Sequence, residues 1–88
     1  MKKYNNIYSF IDDYNKKVGD YYFSHDTLKF FGERLSEMYL LKNTATIIDC
    51  LGDKHECYVL SSLQRNNPSG AKRTYNYFDV ETLERVLQ

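Results

Sequence analysis

The hydrophobic period of this chain changes once, near Met38, and that change limits the fold more than any other feature. Before it, apolar residues recur at the spacing of an amphipathic helix. After it they alternate with polar ones, as half-buried strands do. Residues 5–18 read as the first helix. At about 100° per residue, Tyr4, Phe10, Ile11, Tyr14 and Val18 fall within about 60° of Ile7, and Asp12, Asp13 and Lys16 fall on the far side. Asn5 or Asn6 supplies the N-cap, Lys16 and Lys17 complement the C-terminal dipole, and Gly19 offers the left-handed stop. After the extended link Asp20-Tyr21-Tyr22-Phe23, Ser24 reads as the cap of a second helix over about residues 25–37. Leu28, Phe31, Leu35 and Met38 form its stripe, with Gly32 beside it. Phe30 projects opposite Leu28, so either this helix is covered on two sides or Phe30 faces a partner.

The remainder reads as a meander. Met38–Lys42 is a first strand and Asn43-Thr44 a turn. Thr46–Leu51 and His55–Gln64 form a hairpin around Gly52-Asp53, because glycine at the first turn position suits a type II′ geometry. Asn66-Asn67-Pro68-Ser69-Gly70 is the strongest loop signal, and Lys72–Phe78 is a further strand with Tyr75 and Tyr77 on one face. Asp79–Gln88 is either a short helix capped by Asp79 or a turn followed by a final strand. The expectation is one α+β domain over residues 1–88: two N-terminal helices on an antiparallel sheet of three or four strands.

An 88-residue chain has a thin core, since it buries only about 60–65% of its unfolded surface. Nine tyrosines and five phenylalanines compensate, because each aromatic ring buries a large area. Twelve basic residues balance twelve acidic ones. Neutrality argues against long-range steering to nucleic acid and against mimicry of DNA, which needs an acidic excess. No signal-peptide core follows Lys2-Lys3 and no apolar run is long enough to span a bilayer, so a cytoplasmic protein with reduced Cys50 and Cys57 is expected.

Chemistry-bearing residues are sparse. In a hairpin turning at Gly52-Asp53, Cys50 pairs with His55 and Ile48 with Cys57, so Cys50, His55 and Cys57 share a face, with His25 or Asp49 as a fourth ligand. The C-x4-H-x-C spacing lacks the tight chelate of zinc motifs, and two small core cysteines are the simpler reading. A turn slipped to Asp53-Lys54 instead pairs Cys50 with Cys57. With two histidines and four glycines, no nucleophile–base arrangement or phosphate-cradling loop is recognisable. Asp12-Asp13 reads as a solvated helix face. No enzyme, cofactor or metal site is therefore expected.

Two binding surfaces remain. Tyr21, Tyr22 and Phe30, at the junction between the helices, form the candidate protein-binding patch, since tyrosine combines rigid area with a polar tip. Arg65, Lys72 and Arg73 beside Tyr75 form the alternative, a nucleic-acid-binding hairpin. An exposed strand edge, Met38–Lys42 or the C-terminal segment, would allow a homodimer.

The stretch Asn15 to Leu35, NKKVGDYYFSHDTLKFFGERL, resembles a family of small phage- and prophage-encoded proteins with the helix motif F-S-x-D-T-L/M-R/K-F-F. The family often ends in an F-D/N-x-E-T turn, matched here by Phe78-Asp79-Val80-Glu81-Thr82. It usually continues with Gly where this chain has Leu83. The resemblance covers about half the chain. It implies no activity, cofactor or catalytic residue. It implies an accessory protein inside a bacterial cell that binds a host protein, by analogy an inhibitor of a host defence such as CRISPR.

Overall fold

The structure is a computed structural model and describes residues 2–19, 21–64 and 70–88. Helix α1 (Ile7–Lys17) starts where Asn6, in extended conformation, accepts the Ser9 amide on its side chain at 3.0 Å. It buries Ile7, Phe10, Ile11 and Tyr14. Val18 closes the helix and is exposed. Gly19, at φ 121, returns its amide to the Tyr14 carbonyl.

The second helix does not form. Residues 23–34 instead make a three-stranded antiparallel sheet: β1 (Phe23–Ser24), β2 (Lys29–Phe30) and β3 (Glu33–Arg34). Ser24 Oγ accepts the Thr27 amide at 3.4 Å, as a helix cap would, but the chain then turns back at Leu28, φ 52. Phe31 and Gly32, at φ 52 and 79, supply the two positive angles of a type I′ turn between the paired residues Phe30 and Glu33. Left-handed Leu28 and Phe31 each cost roughly 1–2 kcal/mol. The return is Phe30, fully buried between Phe10, Tyr14 and Phe78 at centroid distances of 6.4, 5.1 and 6.0 Å. Burying one Phe contributes about 1.5–3 kcal/mol, and each aromatic pair adds about 0.5–1.5 kcal/mol. These gains match the backbone cost, and a helix would have faced Phe30 away from Leu28's side. Phe30 is core and presents nothing to a partner.

A 3-10 turn (Leu35–Glu37) leads into the main sheet: β4 (Met38–Leu40), β5 (Ala45–Ile48), β6 (Lys54–Gln64) and β7 (Lys72–Asp79). Strand β6 is its spine. Leu60, Ser61 and Ser62 pair with both β4 and β7, and Cys57 pairs with both Ala45 and Asp79. Strands β4 and β5 therefore follow one another along the edge opposite β7, and the Leu41 amide, bonded to the Val59 carbonyl at 2.9 Å, continues that edge between them. Tyr58, Leu60, Met38 and Phe78 join the buried face of α1 in the main core. On the other face, Ile47, Cys57 and Val86 form a smaller cluster, flanked by Ala45 and Tyr77. The class is α+β, with one α-helix and two antiparallel sheets among the described residues.

The β5–β6 hairpin turns differently from the two-residue expectation. Ile48 pairs with Lys54, leaving residues 49–53 as the loop. Asp49 Oδ1 accepts the amides of Leu51 and Asp53, both at 2.9 Å, which widens the turn. His55 therefore faces Ile47 and Cys57 faces Ala45, while Cys50 lies exposed in the loop. The Cys50–His55–Cys57 face does not form, and neither does a Cys50–Cys57 pair; both cysteines are free.

The C-terminal segment is neither a helix nor a full strand. Asp79 Oδ1 accepts the amides of Glu81 and Thr82, at 2.8 and 3.1 Å, closing a turn. Leu83 follows, buried at φ 62, and this left-handed position is the one for which glycine is the usual residue. The tail then meets β7 through a single bridge, Phe78 to Arg85, and through the Val86 amide on the Tyr77 carbonyl.

Candidate functional site

The residues 21–31 carry an aromatic ladder from the core to the surface. Phe31 contacts Phe30, Tyr14 and Phe78 at 4.7, 5.9 and 5.6 Å. Tyr22 stacks flat on Phe31, 4.2 Å away at an interplanar angle of 13°, and Tyr21 meets Tyr22 edge-on at 4.9 Å. The backbone fixes this order, because the Phe31 amide donates to the Tyr22 carbonyl at 2.8 Å. Tyr21 is 88% exposed and Tyr22 48%. Arg85 lies over Phe31 at 5.2 Å and edges the ladder with a cation. Of the expected patch, Tyr21 and Tyr22 are thus at the surface, Phe30 is inside, and Phe31 takes the place expected of Phe30. The positive φ at Phe31 reverses the two rings, and the sequence pattern contains no sign of it.

The second expected surface is partly assembled. Arg73 and Tyr75 share one face of β7 with Tyr39 of β4, which lies in the same cross-strand row as Tyr75 through Ser61. The Arg73 guanidinium lies over the Tyr39 ring, 5.3 Å from its centroid, and donates from Nη1 to Ser61 Oγ at 2.8 Å. Tyr39 and Tyr75 are about half exposed. Lys72, one residue from Arg73, belongs to the opposite face by strand alternation, and Arg65 lies outside the described residues.

The third cluster is a clamp rather than a reactive site. His55 Nε2 lies 2.7 Å from Asp49 Oδ2 and Nδ1 lies 2.9 Å from Asp79 Oδ2. Each aspartate caps its own turn with Oδ1 and holds the ring with Oδ2, so His55 ties the β5–β6 loop to the C-terminal turn. The hydrogen bonds that His55 donates to Asp79 and Asp49 raise its pKa, favouring the imidazolium that donates from both nitrogens. The bond from His55, then the Asp53 amide, lowers Asp49. Burial pushes Asp79 up, but His55 and the Glu81 and Thr82 amides outweigh it and the net shift is down. The cleft of about 260 Å³ beside the clamp also meets Cys50, Glu84 and Arg85. Cys57 is buried nearby, and desolvation pushes its thiol up to about 11, away from the thiolate that nucleophilic or metal chemistry needs. Among the described residues, no His, Cys, Asp and Glu side chains converge to hold a metal ion; both ring nitrogens of His55 are already directed at carboxylates. His25, expected at a helix start, sits in the β1–β2 turn with its ring edge-on to Phe23.

No protein-family model, curated protein or solved structure matches the chain. Among the described residues, no helix is long and apolar enough to cross a membrane.

Proposed function

We propose that the chain is a non-catalytic binding module that docks a protein partner through Tyr21, Tyr22 and Phe31. The observation that carries this reading is the ladder: stacked rings anchored in the core, ending in a tyrosine that is 88% exposed. Rings held in place lose little conformational freedom on binding, which is the property of interface hot spots. The occupied nitrogens of His55 and the raised Cys57 thiol support the absence of catalysis. The resemblance of residues 15–35 to phage and prophage proteins supports a host protein as the partner, met in the cytoplasm of an infected or lysogenic bacterium. By class analogy the outcome is inhibition of a host defence such as CRISPR. The test is affinity capture from the bacterial host with wild type and with Tyr21→Ala/Tyr22→Ala. A stoichiometric partner retained by the first and lost by the second is expected; capture of nothing, or equal capture by both, overturns the reading.

One observation favours a second reading, binding of single-stranded nucleic acid. Arg73, lying over the Tyr39 ring beside Tyr75, has the composition of a stacking platform. Retention on an oligonucleotide that falls steeply with salt and weakens in Arg73→Ala supports it, and no retention at low salt removes it.

A further inference from the structure

The small sheet contains an arrangement that the ladder does not use. Lys29 of β2 and Arg34 of β3 are direct cross-strand partners, so their side chains project from the same face with Cβ atoms about 4.5–5.5 Å apart. Like charges placed opposite one another repel, and pairs of this kind destabilise a sheet. Neither side chain has a hydrogen bond or ion pair to another described residue. Both line a cleft of about 440 Å³ between α1 and the hairpin, a volume within the range of small-molecule sites, about 300–1,000 Å³. None of the residues lining it is acidic.

The rest of the lining is of two kinds. Tyr8, Thr27 and Ser36 bring hydroxyl groups. Leu35 is a buried floor, and Leu28 is a half-exposed apolar wall held at φ 52. Left-handed conformations in residues other than glycine concentrate at ligand clamps, and here the strain sets an apolar side chain beside two cations.

We propose that this cleft binds a phosphate monoester with a small apolar or aromatic body. A monoester is largely a dianion at neutral pH, matching the two positive charges that line the cleft. Arg34 accommodates two phosphate oxygens with its planar fork, Lys29 supplies a point charge, and the hydroxyls donate to the remaining lone pairs. The organic body lies against Leu28, Leu35 and the Tyr8 ring. A carboxylate satisfies one cation and leaves the other, so phosphate is preferred. This site is independent of the ladder and of its partner.

The test uses phenyl phosphate, inorganic phosphate and phenol as probes, with amide chemical shifts and thermal melting as readouts at constant ionic strength. Phenyl phosphate is expected to saturate shifts across residues 27–36, with inorganic phosphate about tenfold weaker at the same residues and phenol silent. Lys29→Gln/Arg34→Gln is expected to melt at or above the wild-type temperature without phosphate, because the repulsion is gone, and to gain no stability when phenyl phosphate is added. Arg34→Lys keeps the charge but loses the fork, so it is expected to fold as wild type and bind about tenfold more weakly. Equal phenyl phosphate affinity in wild type and either variant overturns the proposal, as do shifts located elsewhere. A phosphotyrosine peptide bound far more tightly than phenyl phosphate overturns the small-ester assignment in favour of a peptide.

Discussion

The two ends of the molecule handle polar and aromatic groups in opposite ways. At the clamp, Asp49, His55 and Asp79 satisfy one another and two turns besides, leaving no reactive nitrogen free. In residues 21–34, rings climb out of the core into solvent and two cations face each other with no ion pair among the described residues. A cluster whose bonds are closed on itself acts on stability. A cluster left open has interactions still to make, and the structural cost of leaving it open points to binding.

The comparison breaks most visibly inside the aromatic segment. Phe30→Ala removes the ring at the centre of the core and is expected to cost about 3–5 kcal/mol in chemical denaturation, a large fraction of the roughly 5–15 kcal/mol that stabilises an ordinary domain. Tyr21→Ala is expected to change stability by no more than about 0.5 kcal/mol. A large loss at Tyr21 would mean that the ladder is a structural prop.

Leu83→Gly sharpens the comparison at the other end. Losing the buried side chain costs about 2–5 kcal/mol, while relief of the left-handed backbone returns roughly 1–2 kcal/mol. Net destabilisation is expected by denaturant titration; a gain would show that backbone strain at Leu83 outweighs its packing.

The clamp's pH dependence is a smaller effect with a defined sign. His55 is raised above its ordinary value of 6.5, so its contribution is complete below that pH and is lost as pH rises through the raised value. Asp49 and Asp79 are lowered below 3.8, so theirs is complete above that pH and is lost as pH falls through the lowered values. The melting temperature of wild type relative to His55→Gln should therefore be greatest between these ordinary values. A flat difference across pH contradicts the charged clamp.

The legible parts of the fold were those where local and tertiary signals agree. Helix α1 has a cap, a stripe and a basic last turn, and β7 spans Lys72–Asp79, one residue beyond the expected Lys72–Phe78. Residues 25–37 depart from the helical expectation although their spacing and their Ser24 cap both suit a helix. The conflict was visible only in Phe30, which no helical face could bury together with Leu28, and tertiary burial of that ring decided the matter. The register of the β5–β6 hairpin was lost for a different reason. Asp49 closes a five-residue loop with its own side chain, and only the placed backbone reveals that its other oxygen reaches His55. Tyr21 and Tyr22 were readable as surface candidates because a thin core cannot hold nine tyrosines; Tyr39 and Phe31 were not, since their roles depend on cross-strand pairing and on one positive φ.

The most direct measurement is a comparison of partner capture from host cells by three forms of the chain: wild type, Tyr21→Ala/Tyr22→Ala and Tyr39→Ala/Tyr75→Ala. The account predicts a partner held by wild type and by the Tyr39/Tyr75 variant, and bound about tenfold or more weakly by the Tyr21/Tyr22 variant. Undiminished capture by the Tyr21/Tyr22 variant, or loss confined to the Tyr39/Tyr75 variant, would contradict it.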